Sequence, residues 1–184
     1  MRLEGLFFLR RNAVELLDIY TKDGLPTGKT LPREGIFGQL GAEERVLLVH
    51  ICIFNPQGEM LLQQRRPDKD RYPGCWDVSA GGFVTAGENP LTAACRELQE
   101  ELGLSVRADE LQPVCCEPFG PVLDYFYNLY KVPAEEEIRL QESEVAAVEW
   151  AGMEEAFSLS RSGQFVDYTE DLLSRLYLSA RREN

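Results

Sequence analysis

Glu97, Glu100 and Glu101 fall three and four positions apart in the stretch Arg96-Glu97-Leu98-Gln99-Glu100-Glu101-Leu102-Gly103. On a helix such residues share neighbouring faces. Three carboxylates placed this way repel one another, and near a helix C-terminus they meet the negative pole of its dipole. Something positive must compensate them. Clustered carboxylate oxygens suit a hard cation such as Mg²⁺, which keeps several waters and takes further ligands from substrate phosphates. The alternative is a solvated helix face, the ordinary fate of an isolated RELQEEL. The surroundings argue for the cation: Gly82 stands six positions before Glu88, and Glu88 stands eight before Arg96.

The element that must carry these glutamates is legible. Asn89 is a good N-cap, Pro90 suits the first helical position, and Gly103 suits the residue past the end, so the spacing predicts a helix over Pro90 to Leu102. Leu91, Ala94, Cys95, Leu98 and Leu102 form one apolar stripe that should face a sheet. Ahead of the helix, Gly81-Gly82 lets the backbone approach a metal or pyrophosphate closely. The loop Gln64-Arg65-Arg66-Pro67-Asp68-Lys69-Asp70-Arg71 is locally basic in an acidic protein. It can hold phosphate oxygens, Arg as a fork and Lys as a point charge, or simply solubilise the surface.

Gly82 to Leu104 reads Gly-x5-Glu-x7-Arg-Glu-aliphatic-x-Glu-Glu-x-Gly-aliphatic without substitution, and it resembles the signature box of the Nudix hydrolases. The order of elements from Arg45 to Trp150 is also similar to that family. The resemblance implies hydrolysis of a nucleoside diphosphate linked to another group, or a related pyrophosphate, with Mg²⁺ or Mn²⁺. It implies that Glu97, Glu100 and Glu101 bind metal together with the backbone carbonyl of Gly81, and that Glu97 doubles as a general base or yields that role. Arg96 would orient the glutamates by ion pairing, and Glu88 would bond Arg96 or reach a second metal through water. Among the basic residues it favours Arg65 and Lys69 as phosphate contacts. Relatives that carry the base outside the box point to Glu144, with Asp124 and Glu117 behind it; a surface role for each stands beside this. Crowded carboxylates titrate as a set, so spacing alone singles out no base.

With 184 residues, 44% of them hydrophobic, the chain can bury one core, and a single domain is expected with residues up to about Leu40 as a leader packed on it. The net charge of −12 argues against nucleic-acid binding, which needs a basic surface. No apolar run is long enough for a transmembrane helix, so no membrane partner is expected, and MRLEGLFFLRRN does not read as a signal peptide. Five cysteines, with no Cys-x-x-Cys pair, suggest reduced thiols in the cytoplasm. His50, the single histidine, reads as a buried or hydrogen-bonded strand residue, because nothing nearby supplies a nucleophile for it.

Val14 to Tyr20, Arg45 to Phe54, Glu59 to Arg65, Trp76 to Ala80, Leu111 to Glu117, Val122 to Val132 and Glu144 to Trp150 read as strands. Glu59 to Arg65 is expected as the hairpin partner of Arg45 to Phe54 across the turn Asn55-Pro56-Gln57-Gly58. An amphipathic turn is expected near Met153 to Phe157 and a terminal helix over Tyr168 to Ala180. The expected class is α/β, and the resemblance makes it an α/β/α sandwich with a mixed sheet.

The leader LLDIYTKDGLPTGKTLPREG is similar to that of Nudix proteins related to isopentenyl diphosphate isomerase. Those isomerases hold a catalytic Cys and a metal-binding His where this chain has Gly81 and Phe83, so hydrolysis is expected and isomerisation is not. A binding module that senses a nucleotide without turnover is the third alternative. Tyr125, Tyr127, Tyr130 and Trp76 are candidates to stack on a base or to pack in the core. Oligomeric state stays open between monomer and homodimer.

Overall fold

The computed structural model describes residues 14–180, so the reading of the first twelve residues lies outside the described part. At the centre runs β3 (Glu44–Phe54), whose near-continuous apolar sequence is explained by burial on both faces. One edge of β3 pairs in parallel with β8 (Val122–Tyr130) from Val46↔Val122 to Phe54↔Tyr130. The other edge pairs antiparallel with β6 (Ala80–Phe83) and, at its start, with β1 (Leu16–Thr21). The sheet is therefore mixed.

Alternation along β3 sorts two cores. Leu47, Val49, Ile51 and Ile53 pack against Ala94, Leu98 and Leu102 of α1 (Pro90–Leu102). Cys52 and Phe54 pack on the opposite face with Phe157 of α2 (Met153–Arg161) and Leu173, Leu176 and Tyr177 of α3 (Glu170–Ala180). The result is the expected α/β/α sandwich. Leu98 is fully buried in it, so Leu98→Ala should cost about 2–5 kcal/mol. The expected readout is a lower denaturation midpoint with an unchanged denaturant slope.

The hairpin expectation needs correction. β4 (Met60–Arg65) meets β3 only at Phe54↔Met60, and instead pairs antiparallel with β9 (Val145–Ala151) and β5 (Trp76–Asp77). The turn itself forms, with Asn55 Oδ1 accepting from the N–H groups of Gln57 and Glu59. β6 already occupies the edge of β3 that β4 would need, so the two strands part. Where they part, Ser79 bridges the gap: its hydroxyl accepts from Ile53 N–H at 2.8 Å and donates to Leu61 O at 2.5 Å. This also splits the single strand expected over Trp76 to Ala80 into β5 and β6.

β7 (Gln112–Phe119) completes a hairpin with β8. The leader forms a second hairpin of β1 with β2 (Pro26–Pro32), followed by a 3-10 turn at Ile36–Gly38. Leu17, Ile19 and Ile36 bury against Val46 and Val122, which fixes the leader to the domain. The amphipathic turn near Met153 is a full helix, and α3 begins at Glu170, later than expected. Its inner side is Leu172, Leu173, Leu176, Tyr177 and Ala180, while Leu178 is exposed. Among the described residues no helix is long and apolar enough to cross a membrane, and all five cysteines are unpaired.

Candidate active site

The bounds of α1 are set by local chemistry. Asn89 Oδ1 accepts from Thr92 N–H at 3.0 Å, Pro90 opens the first turn, and Gly103 adopts the left-handed φ of 73° that the C-terminal cap requires. With Leu98 held in the core, Glu97 and Glu101 fall at the edge of the buried stripe and face β6; only 9% and 7% of each is exposed. Gly81 and Gly82 make room for them. The Gly81 N–H donates to Glu101 Oε2 at 3.0 Å, and a Cβ on Gly82 would overlap the Glu97 carboxylate. Glu100 departs from this pair and remains half-exposed.

Arg96 binds the array together. Its guanidinium donates to Glu88 Oε1 at 3.0 Å, Glu97 Oε1 at 2.8 Å, Glu100 Oε2 at 3.0 Å and the Phe83 carbonyl at 2.9 Å. Glu88 also accepts from the Thr85 N–H and hydroxyl. Partial burial pushes the Glu88 carboxyl up, but the bonds from Arg96 and Thr85 outweigh it and hold Glu88 below the usual range. Burial would lower the Arg96 pKa, yet Glu88 and Glu97 raise it above its ordinary value.

Glu97 and Glu101 differ from Glu88. Burial first, then the Glu97 charge, pushes the Glu101 carboxyl to about 8 against the lowering effect of Gly81 N–H and Gln63. Burial also raises Glu97, opposed chiefly by Arg96. Two carboxyls crowded against a glycine cradle and unable to ionise comfortably side by side are an oxygen donor set that a divalent cation satisfies. Among the described residues no three acidic, His or Cys side chains are already gathered in ligating geometry; Glu97 and Glu100 share Arg96 Nη1, while Glu101 Oε2 accepts from Gly81 and Gln63. The donors therefore fit Mg²⁺ or Mn²⁺ in kind, with Glu97 and Glu101 set against the two glycines and Glu100 sharing Arg96 with Glu97.

The shift of Glu101 has a stability consequence. Unfolded, the group ionises near 4.5; folded and metal-free, near 8. Between those values the folded state holds more protons, so this group makes stability fall as pH rises through the window. Thermal melts from pH 5 to 8 in chelator should slope downward, and Glu101→Gln should flatten the slope.

Beside the glutamates opens a cleft of roughly 350 Å³ that includes Gly81, Gly82, Glu101, Arg65, Lys69 and Glu144. The residues expected from the basic loop and from the start of β9 thus share one cleft with the box. Arg65 lies 3.6 Å from Asp77 Oδ2, and Lys69 pairs with Glu144 at 2.6 Å. Asp124 also lines the cleft, where its Oδ1 lies 3.1 Å from His50 Nε2. His50 is buried and hydrogen-bonded as expected, and it also reaches the cleft wall. The Tyr168 hydroxyl lies 3.1 Å from His50 Nδ1 and donates to Asp77 Oδ1 at 2.9 Å.

For the remaining candidates the surface or core alternative holds. Glu117 is not at the site: it pairs with Arg175 of α3 at 2.7 Å. Tyr127 is buried in the α1 core, Tyr125 packs on the same core, Trp76 packs on the opposite core and bridges to Phe165, and Tyr130 bonds Ser179 at the far end of β8. The rings that line the cleft are instead Phe37, Tyr72, Phe83, Phe119 and Tyr168. Nothing local in the sequence distinguishes these from ordinary aromatics, because strand pairing and the folding back of the leader bring them together.

A NUDIX domain family model matches residues 44–169. The chain is 34% identical over 155 residues to an uncharacterized Nudix hydrolase of Listeria monocytogenes, covering 84% of this chain and 90% of that protein. It is 30% identical over 122 residues to a Nudix hydrolase of Deinococcus radiodurans, covering 66% and 71%. A crystal structure of a protein from Deinococcus radiodurans superimposes with a TM-score of 0.72 at 25% identity, covering 91% of this chain and all of that one. A MutT protein from Methanosarcina mazei shares the fold with a TM-score of 0.59, covering 75% and 96%.

Proposed function

This chain belongs to the Nudix hydrolase family, and from that premise we propose that it cleaves the pyrophosphate bond of a small nucleoside diphosphate derivative or related diphosphate. The observation that carries this reading is the buried Glu97–Glu101 pair set against Gly81-Gly82 and braced by Arg96, beside a cleft bearing Arg65 and Lys69. Glu97, Glu100, Glu101 and the Gly81 carbonyl would hold Mg²⁺ or Mn²⁺, which supplies charge neutralisation and makes the attacking water easier to ionise.

The chain's own residues do the rest. Arg65 takes phosphate oxygens as a fork. Lys69 contributes a point charge once it exchanges Glu144 for substrate. That exchange frees Glu144 to take the proton of the attacking water, with Glu97 as the competing base. A shift of the acidic limb of the pH–rate profile in Glu144→Gln assigns the proton to Glu144, and an unmoved limb assigns it to the box. Arg96 keeps Glu97 and Glu100 oriented throughout, a positioning role.

Within the family, the leader supports kinship with proteins related to isopentenyl diphosphate isomerase. The chemistry is assigned to hydrolysis because Gly81 and Phe83 offer neither thiol nor imidazole. The five unpaired thiols support a reducing, cytoplasmic setting.

The test is product release from a panel of nucleoside diphosphate derivatives, coenzymes and isopentenyl diphosphate, with Mg²⁺, Mn²⁺ or chelator. Metal-dependent cleavage supports the hydrolase. Interconversion of isopentenyl and dimethylallyl diphosphate would overturn it, and tight binding with no turnover on any substrate would replace it with a nucleotide sensor.

A further inference from the structure

Phe37 and Phe119 are exposed by 42% and 49%, and both line the cleft that includes Glu101. Phe37 is nevertheless rigidly placed. Its neighbour Ile36 is 2% exposed and buried with Leu17 and Ile19, which pins the 3-10 turn that presents the ring. The Phe37 ring tilts against Phe83 at 6.2 Å. The Arg71 guanidinium lies over Phe37 at 5.6 Å and over Tyr72 at 5.9 Å, and Arg33 lies over Phe83 at 5.0 Å.

The charges around these rings match a diphosphate. Among the described residues Arg71 has no carboxylate within ion-pair distance, whereas Arg33 pairs with Glu15. Arg33 lines the same cleft as Glu101. Phe37 and Arg33 both precede residue 44, where the match to the family domain begins. Here the leader brings one ring and one cation to a cleft whose Glu101 comes from the domain.

We infer that the leader completes the substrate site: Phe37, together with Phe119, is the surface on which a planar ring carried by the diphosphate stacks, while Arg71 engages the phosphates beside it. This rests on the diphosphate reading above and narrows it to substrates whose diphosphate bears an aromatic ring. Preformed aromatics suit such a role because little side-chain freedom is lost on binding. Stacking on an aromatic side chain tolerates any base, since every base has a π-face.

The test is calorimetric binding, with Mg²⁺, of adenosine and uridine 5′-(α,β-methylene)diphosphate against ring-free methylenediphosphonate. Phe37→Ala should weaken both nucleoside analogues about five-fold or more and leave methylenediphosphonate within about two-fold. Phe119→Ala should act in the same direction, and Phe37→Trp should restore affinity. Equal weakening of all three ligands, no weakening of any, or a wild-type protein that does not prefer the nucleoside analogues would each overturn the inference. Binding and turnover separate the two readings. Ring-dependent binding without hydrolysis sinks the hydrolase and keeps the stacking surface; hydrolysis indifferent to Phe37 does the reverse.

Discussion

Glu101→Gln is expected to abolish most metal-dependent turnover, by about a hundredfold or more, in a protein that remains folded. The fold should survive because the two groups bonded to Glu101 are both donors, Gly81 N–H at 3.0 Å and Gln63 Nε2 at 3.1 Å, and both reach Oε2. A glutamine carbonyl oxygen can accept both. At pH 7 the metal-free variant should be at least as stable as the parent. Its buried side chain has no charge to lose on folding, whereas the parent must keep protonated a carboxyl whose pKa is pushed to about 8.

The second readout is metal binding itself. In the parent at pH 7, a cation binding Glu101 displaces a proton, so the calorimetric enthalpy of Mg²⁺ binding should vary with the ionisation enthalpy of the buffer. Glu101→Gln should weaken Mg²⁺ binding and lose most of that buffer dependence. Near-normal turnover in Glu101→Gln would remove Glu101 from the metal site and with it the main support for the proposed chemistry.

The parts of this site that were legible in the sequence are those written locally. Asn89, Pro90 and Gly103 mark α1 with the same bounds that the structure has, because capping depends on residues within one turn of each other. The spacing of Glu97 and Glu101 likewise places both on one edge of the buried stripe. Strand pairing is not local. The Asn55 turn favours a hairpin, but β3 offers its edge to β6, roughly thirty residues on, and β4 finds its main partner in β9, roughly eighty to ninety residues later. The cleft rings follow the same logic. Phe37 and Phe119 have no neighbouring signal, and they share one cleft only because Ile36 buries the leader against β3 and the β7–β8 turn arrives at the same place. Sequence leaves Glu117 open between site and surface because which face a strand residue takes depends on register, and here it reaches Arg175 of α3.

Gly82→Ala and Gly81→Ala should fail in opposite ways. A methyl group on Gly82 meets only the end of Glu97, overlapping Oε1 and Cδ and lying 2.8 Å from Oε2. Glu97 can swing away, but then it leaves its 2.8 Å bond to Arg96 Nη1 and the position shared with Glu101. Displacing a working carboxylate by about 1 Å can cost on the order of a hundredfold in rate. Gly82→Ala should therefore lose that much turnover with a modest loss of stability. A methyl group on Gly81 instead meets the Val49 carbonyl at 2.8 Å and His50 Nδ1 at 2.9 Å. Neither can step aside: the carbonyl is backbone of the central strand, and the His50 ring is held by Asp124, Tyr168 and its stack on Phe126. Gly81→Ala must push β6 off β3, an overpacking cost of about 1–3 kcal/mol. Denaturant midpoints and turnover measured on both variants check the contrast. If Gly82→Ala is nearly as active as the parent, the tight seat of Glu97 against Gly82 has no part in the reaction, and the second glycine serves only strand pairing.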